Sequence, residues 1–252
     1  MLIQKLMLFS SLFSHLPAAR WCLGIAVVSF AAVVSVYKYI DMADMAVFSS
    51  LETMYLILTD TMNTVFIYLP LYLFIVSGIM FDNGYGEIGI LRFKSRTEWL
   101  SVKAAAYVLN TVVFFGIMLL INYVVSSQVF SFSDVWSGDF IGFCVMSGQP
   151  ASDFAQPPVP TIISACASVF MLYILCGFVN MLVSLVSGRE SVGLFVSLAL
   201  GIAFGVADMV IIPDGFMARL NCCAALLLAS AAICAVSGRA VKKKNFAGKK
   251  MY

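Results

Sequence analysis

The stretch from Phe81 to Lys103, FDNGYGEIGILRFKSRTEWLSVK, separates two long apolar runs of the chain. It holds four of the fifteen Lys and Arg residues, together with two glutamates and a tryptophan. The sequence on either side is apolar enough to lie in lipid, whereas this stretch has the charge to lie in water. It is therefore the first candidate for a surface that meets a soluble partner.

The composition places the chain among α-helical membrane proteins. Its 252 residues are 62% hydrophobic and 11% charged, whereas a typical soluble domain is about 25% charged. Several apolar runs are about 20 residues long, which is the length of a transmembrane helix. A membrane β-barrel would instead show alternating segments of about ten residues, and the sequence lacks them. We predict an all-α fold that forms one transmembrane domain over residues 1–252.

Six apolar runs are candidates for membrane spans. Their predicted limits are 21–36, 62–80, 104–125, 161–186, 191–210 and 218–236. Residues 1–20 are expected to form an amphipathic lead-in helix, with a signal peptide as the alternative. Residues 237–252 form a basic tail. Pro70 lies inside the second predicted span and is expected to kink it.

The distribution of basic residues predicts the orientation in the membrane. If both termini are cytoplasmic, thirteen of the fifteen Lys and Arg residues lie inside, and only Lys38 and Arg219 lie outside. Lys and Arg concentrate on the cytoplasmic side of membrane proteins, so we predict cytoplasmic termini. The basic tail is then expected to contact anionic lipid of the bilayer, and no nucleic acid is expected as a partner.

The sequence lacks the motifs of several enzyme classes. It has one histidine, His15, and a zinc protease site needs two on one helix face. No GxxxxGK[ST] motif for binding ATP is present, and the seven cysteines form no CxxC pattern. We therefore expect no catalytic residue, no metal and no cofactor in this chain. Any work driven by ATP would need a second polypeptide.

Asp208 is the deepest acidic residue in the predicted spans. It could be the coupling group of an ion-driven carrier, or it could pair with Arg219 across the turn at Pro213–Gly215; the pair is the preferred interpretation. In the same span, Gly201 and Gly205 form a GxxxG pattern. This pattern permits close approach of helices within the chain or, as the second choice, between two copies.

The connection from Ser126 to Pro160 is the longest between the predicted spans and contains no Lys or Arg. Its aromatic residues either form a belt at the lipid interface, which is the preferred interpretation, or line an outer mouth. These aromatic residues are Phe130, Phe132, Trp136, Phe140 and Phe143.

The end of the opening stretch carries a helix start. Ser95 and Glu98 match a capping box, in which each side chain bonds to the backbone of the other residue. The third span is therefore expected to begin as a helix near Arg96. Trp99 and Lys103 are expected to anchor it at the membrane surface.

The middle of the stretch has the character of a small docking knob. Ile88 and Leu91 lie three residues apart and would share one face of a short helix. Glu87, Arg92 and Lys94 surround them with charge. Such a knob fits a groove on a soluble partner, and an ordinary positively charged loop is the alternative.

The run E-I-G-I-L-R-F-K-S-R-T-E-W-L-S-V-K resembles the cytoplasmic segment of type-2 ABC exporter permeases. In that family an acidic residue, a short apolar helix and a small-residue–Arg pair precede an aromatic residue and a Lys at the next span. The matching positions here are Glu87, Ile88–Leu91, Ser95–Arg96, Trp99 and Lys103. The R-F-K-S-R-T-E-W part is especially similar to small permeases that accompany peptide-export or bacteriocin-immunity ATPases of Gram-positive bacteria. The gap from Glu87 to Ser95 is shorter than in many members, and no Gly-Thr pair follows the acidic residue.

The resemblance implies a six-helix permease subunit of an ABC exporter in a bacterial plasma membrane. A separate cytosolic ATPase would use ATP and dock on Glu87–Leu91, Arg92, Lys94 and Arg96. A second copy of the chain or a sister permease would complete the transporter, and the cargo would be a peptide or an amphipathic compound. Two other classes stay open: a secondary carrier or intramembrane enzyme acting through Asp208, and a membrane immunity or scaffold protein that needs no ATPase.

Overall fold

A computed structural model describes residues 18–42, 48–80, 95–147, 149, 151–206 and 216–243. All regular structure in these ranges is helical. The elements are α1 (Ala18–Met42), α2 (Ser50–Thr59), a π-helix (Met62–Tyr68), α3 (Leu69–Val76), α4 (Arg96–Val129), α5 (Gly138–Met146), a 3-10 helix (Ala151–Ala155), α6 (Pro158–Ser187), α7 (Glu190–Val206) and α8 (Phe216–Lys243).

Four helices, α1, α4, α6 and α8, are long and apolar enough to cross a membrane. α2 and the helical run Met62–Val76 make a fifth candidate if they are counted as one bent span. α7 is apolar but shorter. The predicted spans 21–36, 104–125, 161–186 and 218–236 each lie within one of the four long helices. The described residues thus have the helix pattern of a multi-pass membrane protein and include four or five helices able to span.

The long helices begin and end where local chemistry requires. α6 begins at Pro158, because a residue in the first helical turn needs no partner for the N–H that proline lacks. It ends at Gly188, whose φ of 71° is left-handed and favours glycine. The Gly188 N–H still bonds to the Ser184 carbonyl at 2.9 Å.

The second predicted span differs from the expectation of one helix over residues 62–80. A separate helix, α2, precedes it, and the chain bends by 60° between α2 and the run that ends at Val76. A capping box starts α2: the Glu52 N–H donates to the Ser49 hydroxyl at 3.3 Å, and the Ser49 N–H donates to the Glu52 carboxylate at 2.6 Å. The sequence analysis did not predict this short buried helix, and the limits of the second span in a membrane stay a prediction.

The bend does not lie at Pro70, where the sequence predicted a kink. The backbone before the proline is a π-helix, in which the Leu69 N–H bonds to the Thr64 carbonyl five residues back. Pro70 has no N–H and would crowd the preceding turn of an α-helix. We infer that the wider π turn accommodates the proline, so the direction of the helix changes earlier, beside Asp60.

The bundle has two ends, which we name by their contacts. At the Arg20 end, Arg20 of α1 contacts Ser77, which follows α3. At the Glu52 end, Glu52 of α2 contacts Ser137, which precedes α5. α1 starts at the Arg20 end, and α8 starts at the Glu52 end, where Arg219 contacts Tyr55. The N-terminus of α1 and the C-terminus of α8 therefore lie at the same end of the bundle, the Arg20 end.

α7 packs against the bent helix through its glycines. A Cβ added at Gly201 would overlap the side chain of Leu69, and one added at Gly205 would lie 2.8 Å from a methyl group of Val65. Contacts this close leave no room for a side chain. The use of the GxxxG pattern for packing within the chain is therefore confirmed.

Enlarging Gly201 should destabilise the fold. Gly201→Leu places a side chain where Leu69 already lies, and overpacking of this kind costs about 1–3 kcal/mol. The thermal unfolding midpoint in mild detergent should fall. Gly116→Leu is the matched control, since Gly116 is exposed on α4 and an added Cβ would meet nothing within 4 Å. Equal shifts for the two variants would contradict the packing described here.

Candidate functional site

The predicted docking residues divide between two parts of the chain. The knob residues lie outside the described residues, so their arrangement stays a prediction; these are Glu87, Ile88, Leu91, Arg92 and Lys94. The sixth docking residue, Arg96, lies at the start of α4, together with the predicted cap and anchor residues Ser95, Glu98, Trp99 and Lys103.

The start of α4 agrees with the predicted helix start. α4 begins at Arg96, and the Glu98 N–H donates to the Ser95 hydroxyl at 3.1 Å. Trp99 and Lys103, which we expected at the membrane surface, are each only 2% exposed. Their side chains pack within the protein, where Lys103 bonds to the Ile79 carbonyl after α3. Their role as anchors at the membrane surface stays a prediction.

Lys103 and Arg20 bind the end of the bent helix from two sides. Lys103 Nζ donates to the Ile79 carbonyl at 2.5 Å and lies 6.0 Å from the Trp99 ring centroid. Arg20 donates to the Ser77 hydroxyl at 2.9 Å and to the Ser77 carbonyl. Carbonyls at a helix C-terminus lack intrahelical donors, and basic side chains satisfy them well.

We call Arg20, Lys103, Ser77 and Ile79 the cation clamp. Ile79 lies on the stem before the segment 81–94, and Lys103 lies on the stem after it. The clamp therefore joins the two stems to each other and, through Arg20, to α1. No local sequence pattern predicts the clamp, because Lys103 and Ile79 are 24 positions apart and Arg20 and Ser77 are 57 positions apart.

A line of buried hydroxyl and amide groups runs through the interior from the bend. Thr64, Tyr68 and Tyr72 recur every four residues along the bent helix, and each contacts a polar group of α4 or α6. The three hydrogen-bonded pairs are Tyr173 Oη to the Thr64 carbonyl (2.7 Å), Tyr68 Oη to Asn122 Oδ1 (3.2 Å), and Tyr72 Oη with Thr111 Oγ1 (2.8 Å). We call these six residues the polar column.

The polar column is buried and uncharged. Its six members are all fully buried, and Tyr72 stacks on Tyr173 with ring centroids 5.4 Å apart. Burying such groups without partners would be costly, so the pairing explains how an apolar bundle holds them. Groups of this kind can hydrogen-bond neutral polar molecules but cannot neutralise an ion. The four-residue spacing of polar side chains inside an apolar run was the missed sequence signal.

At the bend, Asp60 caps the helix that follows. Its carboxylate accepts from the Met62 N–H at 2.9 Å and from the Asn63 amide at 3.2 Å. Lys38 of α1 lies 3.7 Å away and forms an ion pair with it. Asn63 in turn bonds to the buried Ser35 hydroxyl of α1 at 3.0 Å. Two side chains of α1, Lys38 and Ser35, therefore contact the residues at the break in the helix.

The Glu52 end holds two buried charged residues, Glu52 and Arg219, which no sequence pattern predicted to lie at the same end. Glu52 is fully buried, and its second oxygen accepts from the Ser137 N–H at 2.6 Å. Arg219 Nη2 donates to the Tyr55 hydroxyl at 3.0 Å. Asp208, the predicted partner of Arg219, lies outside the described residues, so that pair stays a prediction. The capping box at Ser49 was the available signal for Glu52.

Two of the five aromatic residues of the long connection are buried in a packed cluster. Trp136 stacks on Phe140 with centroids 5.1 Å apart, and both meet Tyr55 of α2 edge to face. Both the belt and the outer mouth are therefore wrong for Trp136 and Phe140, which cover α2. Phe132 is 64% exposed. Cys144 of α5 is also buried, and burial raises its pKa to about 12.

Within the described ranges, no group of three or more His, Cys, Asp or Glu side chains is placed to hold a metal ion. Comparison of the chain with protein-family models, with curated proteins and with solved structures finds no match. The resemblance to exporter permeases therefore has its basis in the residues of the stretch from Glu87 to Lys103.

Removing one hydroxyl of the polar column should destabilise the protein. Tyr68→Phe deprives Asn122 Oδ1 of its donor, and an unsatisfied buried acceptor costs about 1–3 kcal/mol. The unfolding midpoint in mild detergent should fall accordingly. Tyr123→Phe is the control, because Tyr123 follows Asn122 on α4 but is exposed and should tolerate the change. No difference between the two variants would contradict a bonded column.

Proposed function

We propose that the chain is the membrane-spanning permease subunit of an ABC exporter, driven by a separate cytosolic ATPase that docks on the segment 81–94. A second copy of the chain or a sister permease completes the transporter. The observation that carries the proposal is the cation clamp. Because it ties both stems of the segment to three helices, a force applied to the segment reaches the bundle.

The clamp supports transmission by contact with rigid elements. Arg20 belongs to α1, Ser77 and Ile79 follow α3, and Lys103 belongs to α4. A displacement of the segment would therefore move the ends of these helices together, which is how small movements become rigid-body changes in packed proteins. Closure of an ATPase dimer would provide that displacement.

The charge distribution supports a cytoplasmic position for the segment. Among the described residues, seven basic residues lie at the Arg20 end, against two at the Glu52 end. Those at the Arg20 end are Arg20, Arg96, Lys103, Arg189, Arg239, Lys242 and Lys243, and those at the Glu52 end are Lys38 and Arg219. The bias of basic residues toward the cytoplasm favours the Arg20 end, with its docking segment, on that side.

The polar column supports a cargo with neutral hydrogen-bonding groups, such as a peptide. Its phenol, hydroxyl and amide groups lie between the bent helix, α4 and α6, and they could exchange their present partners for those of a cargo. Export is the direction that the family resemblance implies. The fully apolar surroundings suit an amphipathic molecule, whose polar groups would meet the column.

A secondary carrier is the second candidate, favoured by the broken helix beside Asp60. Carriers build ion sites where a membrane helix is interrupted. Here, however, the Asp60 carboxylate already contacts Lys38, Asn63 and the Met62 N–H. A carrier would move its cargo in proteoliposomes without any ATPase, and this behaviour separates the two candidates.

Reversing the charge of the docking segment should release the ATPase. The purified chain should carry a soluble ATPase in mild detergent, and the double variant Arg92→Glu/Arg96→Glu should reduce its recovery at least ~tenfold, since like charges at an interface cost several kcal/mol. Arg239→Glu is the matched control, because Arg239 is an exposed residue at the same end of the bundle. Unchanged recovery of the ATPase would contradict docking at this segment.

Removing the Lys103 contact of the cation clamp should leave binding of the ATPase intact but stop the transmission of movement from the docking segment to the bundle. Lys103→Met keeps the length of the side chain but removes the donor to the Ile79 carbonyl. The ATPase should still co-purify, while its turnover should no longer respond to the permease. The measurement is ATP hydrolysis by the complex against the ATPase alone. A variant whose turnover equals that of the wild-type complex would show that the clamp does not transmit.

A further inference from the structure

α2 is a buried helix at the Glu52 end of the polar column. Residues 50–58 are all buried, and the helix packs against both α4 and α6. The Ser50 N–H donates to the Ser131 carbonyl at 2.9 Å, just beyond the end of α4. The bend that follows α2 leads directly into Thr64, the first member of the column. α2 therefore lies between the column and the outside of the bundle at this end.

α5 lies over α2 by a single face. Only Phe140 and Cys144, four residues apart, are buried along this helix. The cluster of Trp136, Phe140 and Phe154 packs against Tyr55 of α2. α5 thus covers α2 with one face, and the opposite face of α5 is exposed.

The side chain of Glu52 connects α5 to α2. The Glu52 carboxylate accepts from the N–H of Ser49, before α2, and from the N–H of Ser137, before α5, both at 2.6 Å. A helix N-terminus favours a negative charge, and two of them meet on this carboxylate. A buried carboxylate depends on such partners, so the contact is the main polar joint between α2 and α5.

Both α2 and α4 carry, near the Glu52 end, a buried polar atom with no hydrogen-bond partner in the described part of the chain. These atoms are Ser50 Oγ on α2 and Ser126 Oγ on α4, and both residues are fully buried. Permanent protein cores rarely leave such groups unsatisfied. Water that entered between the two helices would satisfy both hydroxyls, which favours an interface that opens.

We propose that α2 is a stopper that closes the polar column at the Glu52 end, and that the contact between Glu52 and Ser137 holds it shut. When α5 is released, α2 leaves its place between α4 and α6, and water reaches the column. The use of this opening as the exit for cargo rests on the proposed function. The opening itself needs no ATPase, so it can be tested separately from the proposed function.

The test measures reaction with a membrane-impermeant maleimide on the purified full chain in mild detergent. Cys144 reports on the cover, Ser126→Cys reports on the column end, and Cys176 in the core of α6 is the internal control. In otherwise wild-type protein all three thiols should be protected. Glu52→Gln replaces one acceptor oxygen by an NH2 group, and it should speed labelling at the first two positions at least ~tenfold, as ordinary thiols near pKa 8.5 become available, while Cys176 stays protected.

Ser137→Pro is the second variant, for the case in which Glu52→Gln also exposes Cys176. The φ of Ser137 is −72°, which proline adopts, and the change removes the N–H that meets Glu52 and the hydroxyl that caps α5. The same three thiols are measured. Labelling of Cys144 without the thiol at position 126, protection of both, or exposure of Cys176 in both variants would each overturn the proposal.

Discussion

A backbone N–H or carbonyl inside lipid must find its partner within the protein, and the bent helix from Ser50 to Val76 breaks the regular ladder that would provide one. Side chains bond to the backbone at the break and along the run that follows it. Asp60, at the break itself, accepts from the Met62 N–H, and Tyr173 of α6 donates to the Thr64 carbonyl. Arg20 and Lys103 donate to the carbonyls at its other end. α1, α4 and α6 are thus arranged around the needs of one irregular element.

Three buried charged residues also hold the bundle together, since each of them bonds two elements to each other. Glu52 joins α2 to α5, Lys103 joins α4 to the chain after α3, and Arg219 joins α8 to α2. Removing one partner of a buried charge costs far more than losing a charge pair at the surface. The three residues therefore fix the order of the parts at both ends of the bundle, where apolar packing alone would leave neighbouring helices free to slide.

The regular parts of this fold follow from the sequence, and the irregular parts do not. Long apolar runs predict α1, α4, α6 and α8, because length and hydropathy alone determine a spanning helix. The cap at Ser95 and the glycine packing of α7 follow from local patterns. α2 was missed, because it has only ten residues and Ser50, Glu52, Thr53 and Thr59 interrupt its apolar character. The burial of Trp99 and Lys103 depends on Ile79, a partner in another element, which no local pattern reveals.

The 60° bend also limits how far the two ends of the bundle can separate. At the α-helical rise of 1.5 Å per residue, α2 and the run Met62–Val76 are rods of at most about 15 and 22 Å, since the π-helix in the run rises less per residue. Joined at 60°, they span about 32 Å, and laid in line they would span about 37 Å. Straightening this one elbow would therefore give a stroke of about 5 Å, close to a single turn of helix.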